Sequence, residues 1–275
     1  MVGSRKTNTV QTTILGEHPS PPDPFGVCII AKDTKTKSGV QHRALAERDG
    51  LWAELVRSLR TVLVSHHTSA AALERTKTHR EAMKRLGLDD EQVKLCRFPT
   101  NVTTQKGNLA EIVLAEYVVA TSGLVLPVYR LRYNPNIDQS MKGDDVLAFD
   151  LYENPPRILV GEAKFRGVSK AIAVKEIVAG LLRSYKGGVP ASLQFVADRL
   201  FEAGEVDLGT RVMECATLFA YGKLNIDYVG LLLSDTKAAE RVEQATPDSL
   251  RRLVMISLQI EEPDSLVTAC YENLE

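Results

Sequence analysis

The chain has 275 residues, a hydrophobic fraction of 44%, a charged fraction of 25% and a formal net charge of −1. These values exclude wholesale disorder and leave room for a sizeable core, in one large domain or in a small domain packed on a larger one. The near-neutral sum lacks the basic excess of dedicated nucleic-acid binders. It does not exclude local basic patches, because catalytic carboxylates subtract from the total.

Four cysteines, Cys28, Cys96, Cys215 and Cys270, lie far apart and form no CxxC pair. They read as buried free thiols rather than zinc ligands, which need closer pairs. Residues 1–12 are polar, so no apolar leader is expected there. The apolar stretch from Ile112 to Val128 is broken by Glu116, Thr121, Ser122 and Gly123, which argues against a membrane span. A reducing cytoplasm fits these features.

In chain order, residues 1–25 read as a flexible or extended lead-in, since the proline-rich run His18–Pro24 cannot be a helix. Gly26–Ala31 reads as a short buried strand. Residues 26–99 are expected to be a mainly helical N-terminal region. Within it, 40–86 is expected to be mostly helical, and the second half carries Arg75, Lys77, Arg80, Lys84 and Arg85. That basic face either meets phosphate or is a solvated surface countered by Glu74 and Glu81. Residues 100–275 are expected to hold the core with a C-terminal elaboration. A helix over Gly107–Thr121 is apolar nearly all round and therefore buried, yet it carries Glu111 and Glu116. Leu124–Arg132, Asp145–Leu151 and Arg157–Lys164 read as strands, the last two joined by the turn Tyr152–Pro156. Helices over Val168–Tyr185 and Ser192–Ala203 follow, then strands over Asp227–Leu233 and Arg252–Ile260.

The chemistry concentrates in residues 141–166, MKGDDVLAFDLYENPPRILVGEAKFR. Alternate residues of a strand share a face, so Glu162 and Lys164 point the same way and Ala163 turns into the opposite layer. The hairpin register can set Asp145 opposite Glu162. Two repelling carboxylates call for a cation, and oxygen-only ligands favour Mg²⁺ or Mn²⁺ over Zn²⁺. Such an ion acidifies bound water and stabilises charge on a phosphate oxygen, while Lys164 positions the water. Those are the requirements of phosphodiester hydrolysis. A buried Glu111 needs a partner or a metal, and it reaches the cluster if its helix packs on the hairpin. Otherwise it is a carboxylate favoured by the helix N-terminus, and Glu116 is the alternative ligand. Arg166 is either a phosphate contact or a surface cation. His66-His67 reads as a surface or helix-end pair, because neighbouring helical side chains diverge. Asp150 and Glu153 are expected to face solvent.

The order Gly107-Asn108-Leu109-Ala110-Glu111, then Gly143-Asp144-Asp145-Val146, then Gly161-Glu162-Ala163-Lys164 resembles the PD-(D/E)xK nuclease superfamily. In that family a helix glutamate, a strand aspartate and an E-x-K strand form the site. The resemblance implies an α/β restriction-endonuclease-like core, a mixed central sheet flanked by helices. It assigns catalysis to Asp145, Glu162, Lys164 and Glu111, and metal binding to Asp145, Glu162 and Glu111. Asp145 matches best because the apolar strand starts right after it, with Asp144 as fallback. The Pro-Asp pair of the superfamily's name is absent. More narrowly, the GNLAEIVLAEY helix, the GDD strand start and GEAKFR resemble the small nuclease subunit of the Hachiman anti-phage defence system. That resemblance implies a DNA substrate and a superfamily 2 helicase partner. A non-catalytic adaptor docking on a helicase, or an RNA or tRNA nuclease, stands as the alternative.

Overall fold

The computed structural model describes residues 13–88, 93 and 97–274. Six strands form one mixed sheet in the order β1-β2-β6-β5-β4-β3. The strands are β1 Ile29–Lys35, β2 Gln41–Glu47, β3 Val146–Asp150, β4 Arg157–Phe165, β5 Asn225–Ser234 and β6 Leu253–Gln259. The hairpins β1–β2 and β3–β4 are antiparallel and form the two edges. The inner pairs β2–β6, β6–β5 and β5–β4 are parallel. Parallel strands need helices over both faces, which explains the continuous apolar run of β5, buried from Asp227 to Ser234.

The helices divide between the faces. On one side lie α1 Pro24–Cys28, α2 Trp52–His67, α4 Val102–Ser122 and α9 Pro263–Tyr271, with α3 Ala70–Arg85 set apart from the core. Leu55, Leu59 and Leu63 of α2, Leu109 and Ile112 of α4, and Leu266 of α9 share a core with Leu159 and Ala163 of β4. On the other side lie α5 Ala171–Gly187, α6 Leu193–Glu202, α7 Val206–Ala220 and α8 Ala238–Ala245, whose core includes Ile158 and Val160. The strand alternation thus sends odd-numbered β4 residues to α4 and even-numbered ones to α5. Among the described residues no helix is long and apolar enough to cross a membrane.

Several expectations meet corrections. Over residues 13–25 the expected lead-in packs: Ile14 and Leu15 are fully buried, and Arg43 donates to the Gly16 carbonyl at 3.0 Å. Residues 1–12 lie outside the described part. Pro24 opens α1, where its missing N–H costs nothing, and the Asp23 side chain caps the helix by accepting from Phe25 N at 2.8 Å. The expected strand Gly26–Ala31 begins only at Ile29, and Ile30 is exposed. Residues 41–47, expected as helix, form β2. Its buried polar side chains find partners across the sheet: His42 Nε2 pairs with Ser257 Oγ at 2.9 Å, and Arg43 Nε donates to Asp33 Oδ1 at 2.7 Å. Leu124–Arg132 is not a strand. It makes one bridge, Val125 to Phe149, and then a 3-10 turn over Arg130–Tyr133.

Candidate active site

Helix α4 starts where Asn101 accepts from Thr103 N and Thr104 N, at 2.8 and 3.3 Å, and stops where Gly123 takes a left-handed conformation, φ 71°. It packs on β3 and β4. The β3–β4 turn is set by Asp150 Oδ1, which accepts from Tyr152 N and Glu153 N at 3.1 and 3.0 Å. The hairpin register pairs Val146 with Gly161, so Asp145 stands opposite Glu162 as expected. Asp145 Oδ2 accepts from Ala163 N at 2.9 Å, which fixes its carboxylate at the start of the strand.

A cleft of about 410 Å³ opens here. Glu111, Arg130, Asp145, Lys164 and Arg166 are among the side chains that line it. Glu111 is 8% exposed and its Oε1 lies 3.1 Å from Arg130 Nε. Burial pushes the Glu111 carboxyl up to about 8. Asp145 and Glu162 push in the same direction, while Arg130 and Lys164 oppose them. Glu162 is likewise raised, first by burial and then by Asp145, with Lys164 and Arg183 pulling it down. Lys164 Nζ donates to Glu162 Oε1 at 2.5 Å. Arg166 reaches the cleft mouth and pairs with Glu176 at 2.5 Å.

The two adjacent aspartates part company. Asp144, also 8% exposed, accepts from Ser192 N at 2.9 Å and its own N–H donates to Ser192 Oγ at 2.8 Å. It ties the strand approach to the start of α6. Glu116 does not join the cleft: it pairs with His66 Nε2 at 2.7 Å, on another side of α4. His66 and His67 do end α2, but the surface reading fails for His66, which is buried against Tyr129. His67 Nδ1 bonds the Leu63 carbonyl at 2.9 Å, and burial holds its ring down at about 4. Of the cysteines, Cys28, Cys215 and Cys270 are buried free thiols, and Cys96 lies outside the described residues.

Sequence reasoning missed Arg130. Its guanidinium contacts Glu111, donates to the Asp144 carbonyl, and donates to the Met141 carbonyl at 2.9 Å. It also missed Gly180 and Arg183 on α5, which flank Glu162.

Among the described residues, no three His, Cys, Asp or Glu side chains are already drawn together around a metal position. The donor chemistry nevertheless suits a hard divalent cation. Glu111, Asp145 and Glu162 supply only oxygens, and burial first, with the neighbouring carboxylates adding to it, raises Glu111 and Glu162. Lys164 supplies the positive charge that Glu162 now faces.

A mixed sheet covered by helices on both faces, with Asp145, Lys164 and a buried helix glutamate lining one cleft and Glu162 bonded to that lysine, defines an α/β protein consistent with a restriction-endonuclease-like core. A family model described as HamA matches residues 23–274. The Hachiman protein HamA of Bacillus cereus is 35% identical over 267 residues, which cover 97% of this chain and 96% of that protein. The chain belongs to the HamA family.

Proposed function

We propose that this chain is a metal-dependent DNA endonuclease that acts in Hachiman anti-phage defence together with a superfamily 2 helicase. The observation that carries the reading is the hairpin register. It sets Asp145 opposite Glu162, two residues before Lys164, at a cleft that the buried Glu111 also lines. The catalytic residues are Asp145, Glu162, Lys164 and Glu111.

Asp145, Glu162 and Glu111 would hold Mg²⁺ or Mn²⁺, which supplies positive charge to a phosphate oxygen and acidity to water. Lys164 donates to the phosphate oxygen and to the attacking water, and it stabilises the negative charge that grows as phosphorus gains a fifth ligand. Arg130 holds Glu111 in the cleft wall. Arg166, at the mouth, meets the flanking backbone. Asp144 keeps the Asp145 strand start in place through Ser192.

The helicase partner supplies restraint. A free nuclease that cut any DNA would damage its host, and the near-neutral chain has little net charge for non-specific DNA binding. The complex is one to one, and cleavage waits for the helicase to engage DNA.

The test is cleavage of duplex DNA by the purified chain with Mg²⁺ or Mn²⁺, and again in EDTA. Cleavage that vanishes in EDTA and in Glu162→Ala supports the reading, and activity indifferent to EDTA removes it. Cleavage by the complex that ignores ATP would remove the helicase's role.

A further inference from the structure

Helix α3 contributes nothing to the core: none of its 16 residues is buried. A helix without a buried face is not retained for packing, since most helical stability in proteins comes from an apolar stripe. Here the helix is held by local means. Ser69 Oγ caps it by accepting from Ala72 N at 3.2 Å, and strong helix formers fill its sequence AAALERTKTHREAMKR. Five basic side chains, Arg75, Lys77, Arg80, Lys84 and Arg85, stand against two acidic ones, Glu74 and Glu81.

The approach to this helix sits beside the cleft. Before it, His67 Nε2 pairs with Asn108 Nδ2 at 3.3 Å, and Asn108 lines the cleft. The Nδ1–H bond to Leu63 leaves Nε2 as the acceptor, so the neutral ring anchors this root. The Phe98 ring packs on His67 with centroids 5.2 Å apart. Pro99 then accepts from Gln105 Nε2 at 2.8 Å, one residue before Lys106 on the cleft wall. The cleft itself carries Lys106, Lys164 and Arg166, which pair with Asp264, Glu162 and Glu176. At 1.5 Å per residue α3 is roughly 24 Å long, which is about seven base-pair steps of 3.4 Å.

We propose that α3 is a grip for duplex DNA, which holds the sugar-phosphate backbone beside the cleft and carries no sequence readout. The proposal rests on the nuclease reading for its substrate class. Its partner is chosen by charge: a net basic, solvated helix matches a polyphosphate and not an apolar groove.

The test is the variant Arg75→Glu/Lys77→Glu/Arg85→Glu in the full chain. All three side chains are exposed, and glutamate keeps the helix. Binding is measured in EDTA at several salt concentrations, on a duplex of roughly 30 base pairs and on a hairpin of roughly eight, which is near the reach of the helix. Cleavage of the hairpin is measured in Mn²⁺. On the long duplex we expect affinity to fall at least about tenfold and the salt dependence to become shallower by roughly two to three in log–log slope. Hairpin cleavage should stay within about twofold, because the cleft is untouched. Unchanged long-duplex affinity and slope beside intact cleavage overturn the grip and leave the nuclease reading standing. A fall in hairpin cleavage as large as the fall in long-duplex affinity also overturns it. If the wild-type chain cleaves neither DNA yet the variant still loses long-duplex binding, the nuclease reading fails and the grip stands.

Discussion

Glu162 occupies the space that a side chain on Gly180 would take. A Cβ at Gly180 would stand 2.6 Å from Glu162 Cδ and 2.9 Å from each carboxylate oxygen. Helix α5 thus seats the E-x-K glutamate from behind, and the seat exists only because the helix carries no side chain there. Gly180→Ala should displace Glu162 and cut cleavage by about 10²-fold, the scale of a 1 Å misplacement at a reacting centre. The fold should hold, because alanine favours a helix interior by about 1 kcal/mol over glycine, which offsets part of the clash. Cleavage rates set against thermal melting separate the two effects. Full activity in this variant would show that the seat is not needed.

A cation at the proposed metal site would compete with Lys164 for Glu162, because Lys164 Nζ already holds Oε1 at 2.5 Å. Lys164→Gln should therefore bind Mn²⁺ at least as tightly as wild type, yet lose cleavage by roughly 10²-fold or more, as for removal of a preorganised donor. Bound Mn²⁺ can be counted by electron paramagnetic resonance. Weaker metal binding in the variant would mean that Lys164 organises the carboxylates rather than contesting them.

The neighbouring aspartates predict opposite phenotypes. Asp145→Asn should lower cleavage by roughly 10³-fold, consistent with several kcal/mol of charge stabilisation by a metal that Asp145 would help to hold, with little change in melting because the amide oxygen still accepts from Ala163 N. Asp144→Ala should leave Ser192 N without its acceptor and cost about 1–3 kcal/mol of stability. Cleavage should largely persist below its melting temperature. Denaturant unfolding beside a nuclease assay checks both, and a reversed pattern would make Asp144 the ligand.

The hairpin was legible because turn residues bracket two apolar runs and because the strand period puts Glu162 and Lys164 on one face. The alternation even sends Ala163 into the opposite layer, where it is buried. β2 was not legible, since His42 and Arg43 break its apolar pattern. They are tolerated because Ser257 and Asp33 meet them across the sheet. Ser257 is remote from His42 in sequence, and Asp33, although only ten residues from Arg43, becomes its neighbour only once the β1–β2 hairpin forms. Leu124–Arg132 misled in the other direction. Its β-formers sit at an edge with one bridge, and its conformation is held by side chains instead: Arg132 Nε donates to the Ser65 carbonyl at 2.9 Å. Gly180 and Arg130 belong to the site by packing alone. No local pattern says which helix will back Glu162 or which loop cation will meet Glu111.

Glu111 makes the site sensitive to pH. Its ordinary value of 4.5 rises to about 8 through burial and the nearby carboxylates. A carboxyl raised on folding binds a proton more tightly in the folded state. Its contribution to stability is fully present below pH 4.5 and is lost as pH rises through about 8. Glu111→Gln is neutral at every pH, so it should not share this loss. Without metal, wild type should lose stability relative to Glu111→Gln across that window, by a few kcal/mol at most at about 1.4 per pH unit. Metal binding must displace the same proton, so Mg²⁺ affinity and cleavage should both rise from pH 6 towards about 8, with proton release on binding at pH 7. Calorimetry in buffers of different ionisation enthalpy reads the released proton directly. A binding heat independent of buffer, with a flat stability difference between wild type and Glu111→Gln, would show that Glu111 is already ionised and held by Arg130.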